Sequence, residues 1–515
     1  MNLPPDLRLC LVALTLAIFT LAASADGNDG AFNVRAYGAV GDGRQLDSPA
    51  INKAIDAAAA SGGGTVIVPS GTYLCGSIHL KSNIHLMIDA GATILGAPQE
   101  MNAYDETEPW SNNPYQDGGH CYFHNSLIWG ENLVNVSITG NGIINGGGLV
   151  SEDKLLDHMC GYLEWARTHK VPSGPGGPPV RLGNKAIALK LCRNVLIRDV
   201  TIAHGGHFAI LVTGCDDMTV DNVTMDTNRD GIDIDCCRNA TISNCRINAP
   251  TDDALCPKSS YALGRNVLTE NLTIVNCQVS GFQEGTLLDG TMAPSVKRQG
   301  RIKFGTESSG GFRNCTVSNC TFRCCRGLAL EEVDGGILED ITVSNLTMVD
   351  VKNYAIYITT GTRNRGGDLR QPSTLRNISI SNVIADHVDK ASGIQIMGSA
   401  GNPVSGIRLS NIRLNCDGGG TEPDAATVPA ELGAGYPEPK PVSAYGIYIR
   451  HAASVELEDI DAALYTPDMR PFAALSDVHG LQIDRCQPPV QKGVPQLNIA
   501  ADVTGLVIRD SPALQ

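Results

Sequence analysis

The stretch Thr219-Val220-Asp221-Asn222-Val223 runs on through Asn228-Arg229-Asp230-Gly231-Ile232-Asp233 to Thr241-Ile242-Ser243-Asn244-Cys245 and then Asp252-Asp253-Ala254. Within it a short phrase, a β-branched or apolar run broken by Asn or Asp, returns after 22 residues. The phrase occurs upstream at Leu196-Ile197-Arg198-Asp199-Val200. Downstream it occurs at Thr273-Ile274-Val275-Asn276-Cys277, Thr316-Val317-Ser318-Asn319-Cys320, Thr342-Val343-Ser344-Asn345-Leu346, Ser379-Ile380-Ser381-Asn382-Val383 and Leu409-Ser410-Asn411-Ile412. Its anchors fall at 199, 222, 244, 276, 319, 345, 382 and 411; the shortest intervals are 23 and 22 and the longest is 43. A short period with occasional insertions marks a solenoid, one coil per repeat, with the insertions as loops on one face. The segments lack helical periodicity and are rich in Val, Ile and Thr, which makes them strands. The fold expected is therefore all-β, a single-stranded parallel β-helix. Stacked anchors are expected to form an internal amide ladder at a turn, a solvent-facing turn Asn being the alternative.

The flanking sequence fits this reading. Residues 49–60 (Pro-Ala-Ile-Asn-Lys-Ala-Ile-Asp-Ala-Ala-Ala-Ala) predict a short helix ended by Gly62-Gly63-Gly64, followed by strands at Thr65–Pro69 and Ile84–Ile88. Such a helix can cap the N-terminal end of the solenoid, which otherwise leaves a strand edge open. Residues 418–442, rich in Gly, Pro and Glu, predict a long loop. Residues 1–25 predict an export signal: Arg8, then an apolar run from Leu9 to Ala22, then Ala23-Ser24-Ala25 before Asp26. A membrane helix is the alternative, but the run is short for a span. The division expected is a signal at 1–25, the cap helix and first coils at 26–130, and a catalytic β-helix body with loop insertions at 131–515. The mature protein is expected outside the cytoplasm, secreted or periplasmic.

Export permits disulfides. Cys245, Cys277 and Cys320, however, each follow an anchor at the same point of the phrase, and are expected to stack inside the coils as small buried hydrophobes. No Cys/His set has zinc-ligand spacing, so no zinc site is expected, and the chain shows no other cofactor motif. The formal net charge of −15 over 515 residues argues against nucleic acid and anionic membrane surfaces as main partners. An acidic polysaccharide would need a local cluster of cations against that background.

Counting eight residues past the anchors at 199, 222 and 244 gives His207, Asp230 and Asp252. Equivalent positions on neighbouring coils lie near the ~4.8 Å strand spacing, so Asp230, Asp252 and Asp253 are expected to converge, with His207 one coil below. Crowded carboxylates raise one another's proton affinity, so one can donate a proton while another stays ionised. Glycoside hydrolysis needs that division: an acid for the leaving oxygen and a base or nucleophile opposite. A turn-forming or calcium-binding Asp cluster is the alternative.

At these residues the chain resembles glycoside hydrolase family 28, the polygalacturonase-like enzymes. Asn228-Arg229-Asp230-Gly231-Ile232-Asp233 is similar to the family's Asn-Thr-Asp-Gly-Ile-Asp, and Asp252-Asp253 to its Asp-Asp pair. Phe32-Asn33-Val34-Arg35-Ala36-Tyr37-Gly38 also looks like the opening of pectin-active β-helices. The resemblance spans roughly residues 31–415. It implies a right-handed helix, inverting hydrolysis of pectic chains without a metal, Asp252 as general acid, and Asp230 and Asp253 holding the water. Two departures stand out. The family's Gly-His-Gly is absent from the coil after the Asp pair, which instead carries an insertion, Gly281 to Gln299, and then Gly300-Arg301-Ile302-Lys303-Phe304-Gly305-Thr306-Glu307. Where the family has Arg-Ile-Lys, this chain has Ala329-Leu330-Glu331. An acid there is expected to weaken uronate binding, with Arg229, Lys258, Arg301 and Lys303 as replacements, since a carboxylate needs a charge-assisted partner. Asn228, His207 and Glu307 complete the expected substrate contacts. The insertion is placed to wall one end of the cleft and favour action on chain ends. A polysaccharide lyase and a non-catalytic carbohydrate-binding β-helix are the competing classes.

Overall fold

The computed structural model describes residues 30–108, 120, 122–150, 182–365, 371–433 and 440–515. The expected export signal at 1–25 lies outside the described residues. Among them, no helix is long and apolar enough to cross a membrane.

The chain winds as a right-handed parallel β-helix. Every pairing between its strands is parallel, and each coil lies one step along the axis from the last. The strand Asp216–Asp221 pairs with Arg193–Arg198 on one side and with Arg238–Ser243 on the other, which pairs in turn with Thr269–Val275. Alternation sends every second side chain inward. Val195, Met218, Ala240, Leu272 and Cys315 form one inward column, and Ile197, Val220, Ile242, Ile274 and Val317 another. All ten are buried. Each fully buried aliphatic side chain of this kind contributes roughly 1.5–3 kcal/mol.

The helix expected over residues 49–60 forms as Ser48–Ala60 and buries Ala50, Ile51, Ala54, Ile55 and Ala58 at helical spacing. Gly62, Gly63 and Gly64, all at positive φ, end it and feed the strand Gly64–Val68. The expected amide ladder forms, but on the solvent-exposed surface rather than inside. Asn276 Nδ2 donates to Asn244 Oδ1 at 3.2 Å, Asn319 to Asn276 at 3.3 Å, Asn345 to Asn319 at 2.9 Å and Asn382 to Asn345 at 3.0 Å. These anchors hold left-handed φ values of 55–58°, a conformation Asn tolerates better than other non-glycine residues. The ladder is external because the anchor marks the bend, and its side chain leaves the coil there. The cysteines stack within. All fourteen described cysteines are buried free thiols, Cys245, Cys277 and Cys320 among them.

Candidate active site

The site forms on the outer face of the sheet that runs through Lys185–Lys190, Phe208–Thr213, Asp230–Asp235 and Leu255–Lys258. Lys303–Phe304 and Arg326–Glu332 continue this face. Its inner positions (Ile210, Val212, Ile232, Ile234) belong to the core. Along the outer face, Asp233 pairs in register with Leu211 and with Cys256.

The register corrects the eight-residue count. Asp226 pairs with Asn248 and Ile232 with Leu255. The second connection is therefore one residue longer, and Asp253, not Asp252, lies opposite Asp230. Gly231 N accordingly donates to the Asp253 carbonyl at 3.0 Å. Phe208, not His207, is the partner of Asp230 on the preceding coil. His207 is fully buried, edge-on to the Phe208 ring at 4.4 Å.

The three aspartates come together, each in a different environment. The Asp230 side chain is 2% exposed, with Arg229 Nη2 3.9 Å from its Oδ2. Burial first, then the Asp252 and Asp233 charges, push its carboxyl well above the usual range. Asp252 keeps a quarter of its side chain in solvent, and its Oδ2 accepts from Arg229 Nη2 at 2.7 Å. Asp253 is fully buried between two cations: Arg301 Nε donates to Oδ1 at 2.9 Å, and Lys303 Nζ pairs with Oδ2. Burial alone would raise the Asp253 carboxyl, but Lys303 and Arg301 overcome it and hold the group ionised well below the usual range.

The basic replacements also have explained positions. Lys303 pairs in register with Ala329, and Arg301 Nη2 lies 3.5 Å from Glu331 Oε1. Lys303 thus lies one coil before the small side chain of Ala329, and Glu331 serves as a counter-ion to Arg301. Lys258 Nζ lies 3.3 Å from Asp233 Oδ2 and 3.0 Å from Glu307 Oε2. Asn228 supports the turn ahead of Asp230: its carbonyl accepts from Thr251 N at 3.1 Å and Thr251 Oγ1 at 2.8 Å.

Three further members, His120, Arg363 and Asp334, were not expected from the sequence. His120 Nε2 contacts Asp233 Oδ2 at 3.1 Å. Arg363 Nη1 donates to Glu307 Oε1 at 2.9 Å and binds Asp334 through Nε and Nη2. Glu331, which the sequence placed on this face, joins through Arg301. Ligand atoms of Asp230, Asp253 and Cys256 lie within 4.8 Å of one another, but Arg301 and Lys303 already neutralise Asp253, a poor setting for a cation. The insertion is tied down over the preceding coils: Gly285 N, Leu287 N and Leu288 N all donate to the Asp226 carboxylate at 3.0 Å. Phe282 N donates to Asn248 Oδ1 at 2.8 Å.

A family model described as rhamnogalacturonase A/epimerase, pectate lyase-like matches residues 31–254. A probable polygalacturonase of Vitis vinifera is 25% identical over 401 residues, covering 74% of this chain and 73% of that protein. An exopolygalacturonase of Platanus acerifolia is 26% identical over 409 residues, covering 76% of this chain and 91% of its own. The solved structure of a family 28 exopolygalacturonase of Yersinia enterocolitica has the same fold, with a TM-score of 0.65 at 18% identity over 88% of this chain and 78% of that one.

Proposed function

We infer that this chain is a polygalacturonase-like glycoside hydrolase that cleaves α-glycosidic bonds in pectic polysaccharide or its oligosaccharides, with inversion and from chain ends. The observation that carries this reading is the division of labour among three converging aspartates: one disposed to hold a proton, one reaching solvent, one held anionic by two buried cations.

Asp230, raised first by burial and then by the Asp252 and Asp233 charges, holds a proton that it shares with the neighbouring Asp252. Asp252, the solvent-reaching member, passes that proton to the glycosidic oxygen as the bond to the anomeric carbon breaks. Water attacks that carbon from the opposite face and surrenders its proton to Asp253. A carboxylate clamped by two cations is a weak base, so Asp253 gains basicity when Arg301 and Lys303 are shared with the substrate. A uronate carboxylate can do this, because it forms the same charge-assisted bonds. Arg229 plays the matching part for Asp252. The substrate's acid group thus both anchors it and frees the catalytic groups, which favours galacturonate units over neutral sugars or methyl esters. Residues 1–25 fit export to where such polymers are found.

The test is incubation of the purified protein with defined galacturonate oligomers, with product masses and ultraviolet absorbance read together. Hydrolysis adds one water per cleavage and leaves no absorbing product. An unsaturated, absorbing product would identify β-elimination and overturn the hydrolase reading, and no cleavage of any pectic oligomer would overturn both.

A further inference from the structure

Beyond the aspartates, toward the C-terminal coils, lies a pocket of about 440 Å³, within the size range of small-molecule sites. Successive coils build its floor. Gly300 N donates to the Asp252 carbonyl at 2.8 Å, Arg326 N to the Gln299 carbonyl at 2.8 Å, Lys352 N to the Cys325 carbonyl at 2.9 Å and Asp389 N to the Val351 carbonyl at 2.9 Å. The pocket therefore starts one coil past Asp252 and ends four coils past it, a span of roughly 5–19 Å at ~4.8 Å per coil. The end of the insertion, through Val296 and Lys297, closes one side.

Its charge is opposite to that of the protein. Lys297, Arg326, Lys352 and Lys390 line it against a single acid, Asp389, in a chain of net charge −15. Asp389 is engaged by Lys352, Nζ to Oδ2 at 3.3 Å. Lys297 and Lys390 form no ion pair among the described residues. A second observation points the same way. Asn353 also lines the pocket, is 5% exposed, and has no hydrogen-bond partner for its Nδ2 among the described residues. A buried donor left unpaired costs about 1–3 kcal/mol, and beside excess cations its natural complement is an anionic oxygen.

We propose that this pocket is a second carboxylate-binding site, which takes the uronate group of a sugar two or more residues from the cleaved bond. The proposal rests on the uronate-bearing substrate inferred above. Lys297 and Lys390 supply the charge and Asn353 the directed hydrogen bond. The insertion, besides flanking the cleft, carries one of the binding groups. Chains long enough to reach both sites gain affinity without any new contact at the bond that breaks.

The test is calorimetric binding of a galacturonate pentamer, as the free acid and as the methyl ester, to full-length Asp252→Asn protein, whose turnover is expected to be slower by about 10²–10⁴. The same measurement follows with Lys297→Gln and Lys390→Gln added. The acid pentamer is expected to lose about tenfold in affinity, the equivalent of ~1.4 kcal/mol, with a shallower salt dependence, while ester binding stays unchanged. Equal affinity for the acid with and without the lysines, or equal losses for acid and ester, overturns the proposal. So does an absence of acid-pentamer binding to the Asp252→Asn protein. If the unmodified protein cleaves no pectic substrate yet the lysine-dependent binding persists, the hydrolase reading fails and the pocket stands.

Discussion

Arg229 holds the two aspartates nearest to it at unequal distances, with its Nη2 2.7 Å from Asp252 Oδ2 and 3.9 Å from Asp230 Oδ2. The guanidinium hydrogen-bonds Asp252 and, through its charge, opposes the burial that raises the Asp230 carboxyl. Removing it raises the proton affinity of Asp230. Arg229→Gln is expected to move the alkaline limb of the kcat–pH profile toward higher pH, because the catalytic proton is retained longer. KM for galacturonate oligomers is expected to rise roughly tenfold through the lost charge-assisted contact. An alkaline limb that stays put or moves down contradicts the shared-proton arrangement.

Asp252 and Asp253 are sequence neighbours, yet their replacement is expected to have different consequences. Asp252→Asn removes a partly solvated carboxylate and should lower kcat by about 10²–10⁴, the range for general acid catalysis, with little change in Tm. Asp253→Asn leaves Arg301 and Lys303 buried without their shared anion. Breaking one side of a buried pair costs about 3–5 kcal/mol, so this variant should lose both activity and stability. Thermal unfolding of the two variants, measured beside their kcat, separates the effects. An Asp253→Asn protein as stable as its parent would mean that the two cations find other partners.

The coil architecture, the ladder anchors and the convergence of the three acids were legible because they depend on spacing within one or two coils. The alignment of Asp230 with Asp253 was not, since it turns on one extra residue in the connection before Leu255. Arg301-Ile302-Lys303 could be read as a basic motif, but only the pairing of Lys303 with Ala329 shows that Glu331 becomes its neighbour's counter-ion. His120 was out of reach altogether. It meets Asp233 across 113 residues of chain, and no local pattern encodes such a contact.

Stability is expected to fall steeply in acid. The carboxyls of Asp253 and Glu307 are both depressed in the folded protein: burial acts against this, but Lys303 and Arg301 outweigh it for Asp253, and Lys258 and Arg363 for Glu307. A depressed folded-state value gives stability that is fully present above the unfolded values, ~3.9 for Asp and ~4.3 for Glu, and is lost as pH falls below them. Asp230 acts in the opposite sense. Its raised value favours the folded state when protonated, so its contribution is lost as pH rises above ~3.9. Tm followed downward from pH 6 should drop below about pH 4, and Asp253→Asn should flatten that drop. A parent Tm independent of pH in this range would rule out the depressed carboxyls.

The external ladder carries stability away from the site. Asn276 donates to Asn244 and accepts from Asn319, at φ 58°. Asn276→Ala removes both amide bonds and places an alanine in a left-handed conformation that costs about 1–2 kcal/mol. Asn276→Gly removes the same bonds without that strain. Urea unfolding should therefore rank the parent above Gly and Gly above Ala, with kcat unchanged in both. Equal losses for the two variants would place the whole cost in the hydrogen bonds and none in the backbone.

The insertion is expected to govern the length of chain the enzyme accepts. Its backbone is fastened to Asp226 by three hydrogen bonds at 3.0 Å, and Glu284 reaches His204 at 2.9 Å, so it is a fixed wall over the preceding coils. A fixed wall beside the aspartates blocks a polymer from running through the cleft but admits a chain end. Deleting residues 282–295, which leaves Lys297 of the second pocket in the chain, should raise the rate on long polygalacturonate relative to short oligomers and shift the products from monomers toward mixed lengths, read by mass. The deletion also leaves the buried Asp226 carboxylate without those donors, so Asp226→Asn in the deleted protein is the companion variant that restores folding if stability is lost. A deleted, folded protein with the parent's product pattern would take the wall out of the account of chain-end action.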